Sequence, residues 1–194
     1  VRAPSSSVQT LLIITIGVFL LQSILSPAAV AALALWPLHA GFLPWQLVTY
    51  AFLHGSVTHL AFNMFGLWMF GRELEYMVGR KVFLPLYFAS ILSAALMQLL
   101  FSALTGTTNP TVGASGGVFG LLLAYAMLFP NRIIMLLLPP IPLPAWLFVT
   151  LYAGVELALG VTGTQAGVAH FAHLGGMLGG YLVIHRWRRR NRRH

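Results

Sequence analysis

Gly113-Ala114-Ser115-Gly116-Gly117-Val118-Phe119-Gly120 opens a run, 113–129, that carries no charged residue, and its reading decides the fold. Such a stretch reads as a membrane helix, because ~20 apolar residues cross ~30 Å of hydrocarbon and a helix satisfies its own backbone polar groups. A hydroxyl nucleophile is rarely found there. Ser115 points to chemistry inside a bilayer once other reactive side chains are placed at its depth.

The remainder of the chain is of the same kind. Its 194 residues are 58% hydrophobic and 7% charged, with a mean hydropathy of +0.84, whereas soluble domains carry about 25% charged residues. Further charge-free runs fall at about 8–25, 46–70, 82–104, 143–161 and 168–185, which with 113–129 makes six spans. The expected fold is an all-α membrane protein, a polytopic bundle of six transmembrane helices. Residues 1–194 form one embedded domain with a short basic C-terminal tail, so any activity is built from the helices and their connections.

Arg2 before the first span and Ala28-Ala29-Val30-Ala31 after it imitate a signal peptide, but the length of the apolar run favours a retained span. Val1 is not an initiator methionine, so the chain reads as a fragment whose true N-terminus is unseen. The 11 basic residues precede the first span or follow the second, fourth and sixth, always on one face. Both termini are therefore expected to be cytoplasmic. The net charge of +8 reads as topology and contact with anionic lipid rather than a nucleic-acid site, since the basic tail abuts a span. Without cysteine there is no disulfide, thiolate metal site or cysteine nucleophile, and covalent catalysis has to use oxygen.

The first connection, Ser26 to Trp45, is broken by Pro27, Pro37 and Pro44 and reads as a loop in the outer interface, anchored by its tryptophans. Glu73 and Glu75 lie among Arg72, Arg80 and Lys81, which predicts local pairing in a short cytoplasmic turn. Pro139, Pro140, Pro142 and Pro144 keep the fifth helix from starting before about Ala145. The uncharged connection 161–168, with Gly163 and Gly167, suits a mobile flap.

Depth ties the intramembrane polar residues together. At 1.5 Å per residue, Ser115 stands ~25 Å above Arg132, His173 ~20 Å above Arg186, and His59 ~20 Å and Asn63 ~14 Å above Arg72. Four polar side chains on three helices thus gather in the outer half of the bilayer. Helical phase places His59 and Asn63 on one face and His173, Gly176 and Gly180 on another. Gly116 and Gly120 form a second small-xxx-small pair, so the simplest assembly packs the fourth helix on the sixth and brings Ser115 to His173. A serine needs an adjacent base, and a neutral imidazole accepts the hydroxyl proton and later returns it to the leaving amine. Asn63 and His59 on the second helix are the candidate oxyanion donors, joined by the Ser115 backbone N–H.

These residues resemble the rhomboid family of intramembrane serine proteases. The resemblance rests on Gly113-Ala114-Ser115-Gly116, on Ala172-His173 with Gly176 and Gly180, and on His54, His59 and Asn63, which match a His-x4-His-x3-Asn pattern. Gly71, Glu75 and Gly79 resemble the family's second-to-third connection. The resemblance implies the rhomboid fold in its six-span bacterial form, in a bacterial plasma membrane, cleaving single-pass transmembrane proteins near their outer ends. It implies Ser115 as nucleophile and His173 as base in a dyad without a carboxylate, His59 and Asn63 as oxyanion donors, His54 as structural, and no cofactor or metal. It also makes the fifth helix and its following loop a lateral gate. Two departures stand out: Trp45-Gln46 where many members have Trp-Arg, and Phe119 where tyrosine often stacks on the histidine. Stacking needs only the aromatic face, so activity is expected to survive.

Glu156 is the one acid within a span. The resemblance assigns no catalytic acid, and a lone membrane glutamate is expected to be protonated or paired with a neighbouring helix. Two other function classes compete with the protease. A non-catalytic homologue that binds membrane helices is opposed by the intact Ser115 and His173. A haem or metal protein using His54, His59, His170 and His173 leaves Asn63 and the Gly-Ala-Ser-Gly turn without purpose.

Overall fold

The computed structural model describes residues 6–135, 140–163 and 169–191. Among the described residues, eight α-helices run α1 Ser7–Gln22, α2 Pro27–Leu33, α3 Gln46–Thr49, α4 Val57–Val78, α5 Arg80–Thr105, α6 Ser115–Leu128, α7 Ala145–Thr162 and α8 His170–Asn191. The six longer ones lie along the six charge-free runs. By length and composition α5 and α7 suffice to cross a membrane, and α1 and α6 are shorter apolar helices.

Local chemistry sets the ends. Ser6 caps α1 through a capping box with Gln9, Ser26 caps α2 with Pro27 in the first turn, and Ser56 accepts from the His59 N–H to start α4. Between α4 and α5, Gly79 takes φ 74°, which lets one helix follow the other across a single residue.

Three expectations are corrected. The fold is mostly helical rather than all-α, because Ile133–Met135 (β1) pairs antiparallel with Pro142–Pro144 (β2), Ile134 opposite Leu143. Pro142 and Pro144 disfavour a helix there, and the two short strands pair instead. The run 46–70 is not one helix: α3 gives way to a 3₁₀ turn at Tyr50–Phe52 and an extended Leu53 before α4 begins. Lastly, Glu73 and Glu75 look away from their own turn. The Glu75 carboxylate accepts from the Ser7 and Val8 N–H groups at 2.7 and 3.1 Å, capping α1, while Glu73 meets the Tyr125 hydroxyl at 3.2 Å and Arg132 at 4.0 Å. An unpaired helix N-terminus attracts a carboxylate more strongly than a solvated lysine does.

Helix α8 is wedged between α5 and α6 by two glycine stripes one residue apart. A Cβ at Gly176 or Gly180 would strike the carbonyls of Gly116 and Gly120 on α6, and one at Gly175 or Gly179 the carbonyls of Ser93 and Ala89 on α5. Such backbone approach replaces the hydrophobic drive that lipid does not supply. Large apolar side chains are exposed around the apolar core, and polar groups are buried within it. Ile13, Leu104 and Val161 are 70%, 78% and 73% exposed, while Asn63, Ser90, Gln98, Ser102, Glu156, His170 and His173 are buried.

The first connection is held by its polar side chains. Gln46 is fully buried; its Oε1 accepts from the Trp36 and Leu43 N–H groups and its amide donates to the Ala32 carbonyl. Trp36 and Trp45 donate their indole N–H to Ala31 and Ala32, and Leu35 pairs with Thr111 just before α6. Gln46 thus supplies loop stability where the resemblance expected an arginine.

Candidate active site

Ser115 is the first residue of α6, and the segment that delivers it is clamped. The Gly113 N–H donates to the Tyr50 carbonyl at 2.9 Å, and the Ala114 N–H points at His54 Nε2 at 3.5 Å. The Tyr50 hydroxyl reaches across to the Ile91 carbonyl on α5, at 2.9 Å. Tyr50 was given no role by sequence, and nothing in its spacing signals one. Gly113 has φ 125°, and a Cβ there would sit 2.6 Å from His59 Cε1. No side chain caps α6, which leaves the backbone N–H of Ser115, at its first position, without an intrahelical partner.

His173, in the first turn of α8, brings Nε2 to 2.9 Å from Ser115 Oγ. Phe119, one turn beyond Ser115, stacks on its ring with centroids 4.2 Å apart and planes 5° apart. The close α6–α8 crossing at Gly116, Gly120, Gly176 and Gly180 sets the spacing that both contacts need. His59 and Asn63 line the same cavity, of about 1000 Å³, as Ser115, Phe119 and His173. One Asn63 amide N–H is committed to the His59 carbonyl at 2.9 Å, which leaves the other for the cavity. His54 lies behind, its ring edge-on to His59 at 5.0 Å.

Glu156 on α7 is where sequence reasoning fell short. Its Oε2 lies 2.9 Å from His173 Nδ1 and 2.7 Å from His170 Nδ1. Sequence leaves open a protonated acid or a partner on a neighbouring helix; it does not point to the histidine beside Ser115 as that partner. No spacing rule crosses the 161–169 connection, so the pairing carries no sequence signal. The flap expected there lies mostly in residues 164–168, outside the described residues.

Among the described residues, the group able to hold a metal ion is Glu156, His170 and His173, whose ligand atoms lie within 4.8 Å of one another. Their 2.7 and 2.9 Å separations are those of N–H···O hydrogen bonds. His54 and His59 are not in this group, so the four histidines do not converge on one centre.

A family model described as the Rhomboid domain matches residues 42–190. The chain is 36% identical over 140 residues to "Rhomboid protein 1, mitochondrial" of Saccharomyces cerevisiae, covering 71% of this chain and 40% of that protein. It is 30% identical over 188 residues to "Rhomboid protease GlpG" of Yersinia pestis, covering 94% and 62%, and 29% identical over 141 residues to "Rhomboid protease GluP" of Bacillus subtilis, covering 72% and 25%. The chain thus spans less than two thirds of the length of these relatives.

Proposed function

Because the chain belongs to the rhomboid family, we propose that it is an intramembrane serine endopeptidase that cleaves transmembrane segments of other proteins near their outer ends. The observation that carries this reading is the 2.9 Å contact of Ser115 Oγ with His173 Nε2 on the wall of a cavity of about 1000 Å³. Two of the similar proteins are named rhomboid proteases, which supports the same class of activity.

Ser115 Oγ attacks the scissile carbonyl carbon while its proton passes to His173 Nε2. The carbonyl oxygen becomes an oxyanion, and the donors nearest to it are the free Asn63 N–H, His59 and the Ser115 backbone N–H. The tetrahedral adduct collapses as the C–N bond breaks and Nε2 returns the proton to the departing amine. Water then attacks the acyl-enzyme by the same route. A helical peptide bond is hydrogen-bonded and shielded, so a substrate helix has to unwind locally, which favours small or helix-breaking residues near the cut. The proposed topology has six spans with both termini cytoplasmic, in a bacterial plasma membrane, and the cavity toward the outer face. Helix α7, with Ala145, Val149 and Glu156 as its buried residues, is the side of the bundle suited to lateral entry.

Purified protein in vesicles with a labelled single-pass substrate tests the proposal. Cleavage that Ser115→Ala abolishes, together with labelling of Ser115 by a fluorophosphonate, is the expected result. Cleavage unchanged in Ser115→Ala removes the assigned nucleophile, and a folded protein that binds substrate helices without labelling would be the non-catalytic homologue.

A further inference from the structure

Glu156 stands in a position that a two-residue mechanism leaves without a purpose. It is 5% exposed, it is the only acid among the buried residues described, and it sits on α7 rather than on either helix that carries the reacting pair. Burying a carboxylate away from water is costly unless the charge is met by donors. Here two imidazoles meet one oxygen: His173 Nδ1 at 2.9 Å and His170 Nδ1 at 2.7 Å both face Oε2. The opposite nitrogen of His173 faces Ser115, also at 2.9 Å.

From this geometry, and resting on the reading of Ser115 and His173 as nucleophile and base, we infer that Glu156 is a positioning residue that converts the pair into a Ser115–His173–Glu156 relay. A neutral imidazole carries one N–H, and a carboxylate can only accept, so the proton resides on Nδ1 and the Nε2 lone pair is turned to the serine hydroxyl. That is the tautomer a general base needs. Phe119 fixes the plane of the ring by stacking, but stacking leaves rotation within that plane free, and the Nδ1–H···Oε2 bond removes it. His170, three residues before His173 on the same helix, donates to the same oxygen and holds the carboxylate in place. During attack the Oγ–C bond forms, the hydroxyl proton moves to Nε2, and the ring becomes an imidazolium. Its positive charge then faces the Glu156 carboxylate, which keeps its own electron pairs and takes no proton. In a site walled by apolar side chains this compensation is worth more than it is in water.

A purely mechanical alternative makes Glu156 a strut between α7 and α8. The two roles separate by readout. Wild type, Glu156→Gln and Glu156→Asp are compared for kcat and KM on a transmembrane substrate, and for the rate of fluorophosphonate labelling, which reports the nucleophilicity of Ser115 without a peptide. Positioning predicts that Glu156→Gln lowers kcat and the labelling rate by a common factor of roughly tenfold or more, with KM within about twofold, and that Glu156→Asp recovers part of both. A strut predicts altered KM or thermal stability with labelling unchanged, and that result overturns the inference. Should the variants fail to fold, ¹⁵N spectra of the histidines in the wild-type protein decide: His173 carrying its proton on Nε2 at neutral pH overturns the relay, and on Nδ1 supports it. Wild type that labels beside an equally reactive Glu156→Gln removes Glu156 alone, whereas wild type that neither labels nor cleaves removes the protease reading and the relay with it.

Discussion

Ser115 owes its placement to the residue two before it. At Gly113 the backbone takes φ 125°, a region that costs an L-residue about 1–3 kcal/mol, and the space a methyl would fill is held by the His59 ring, 2.6 Å away at Cε1 and 2.8 Å at Nε2. Gly113→Ala is therefore expected to displace His59 from the cavity and cut the cleavage rate by at least roughly tenfold, with a modest fall in thermal stability. A variant that cleaves at the wild-type rate would show that the displaced ring is not needed. That Ser115, His173 and His59 come to one cavity was legible from depth and phase, because rise and rotation per residue are properties of one helix. The partners of Gln46 and Glu75 were not. Gln46 bonds Trp36 and Leu43 within a folded loop, and Glu75 caps α1 from 67 and 68 residues away in sequence. Both contacts depend on where another segment comes to rest.

Between elements, the decisive contact is the crossing of α6 and α8. Gly176 faces the backbone of Gly116, and a peptide carbonyl, unlike a flexible side chain, cannot yield to an added methyl. Gly176→Ala is expected to push α8 outward, lengthen the Ser115–His173 contact and reduce both cleavage and phosphonate labelling by about 100-fold, since a misplacement of ~1 Å costs that much. Gly154→Ala is the matched control: nothing lies within 4 Å of its Cβ position on α7, so activity is expected to be retained. Equal loss in both variants would point to a general intolerance of bulk rather than to the crossing. The small-xxx-small spacing made the α6–α8 pair readable, whereas the same glycine run's second stripe, Gly175 and Gly179 against α5, was not read. A stripe names a face without naming the helix that covers it. Element ends were less legible still. The run 46–70 has uniform apolarity, but Tyr50 and His54 hold the Gly113–Ala114 backbone and so keep their own segment from joining α4.

Over the whole molecule, large apolar side chains are exposed around an apolar core that also holds buried polar groups, and the basic turns gather at one end. Arg132 reaches Glu73, and Arg188 donates to the Met127 carbonyl at 3.2 Å, which joins the end of α4, the α6–β1 turn and the basic end of α8 on one face. The chain has no cysteine, so single cysteines report sidedness directly. In intact cells a membrane-impermeant maleimide is expected to label His39→Cys and to spare Asn131→Cys until the membrane is opened. Labelling of both from outside would overturn the proposed orientation. The sequence by itself determined that the chain is built of apolar helices, which of its turns are basic, and which polar residues share a depth, because each follows from composition or from the fixed geometry of one helix. Tertiary structure alone decided what those residues touch. The azimuth of α7 against α8 is set by packing, and it is that rotation which turns Glu156 from a lone acid in an apolar helix into the partner of His173.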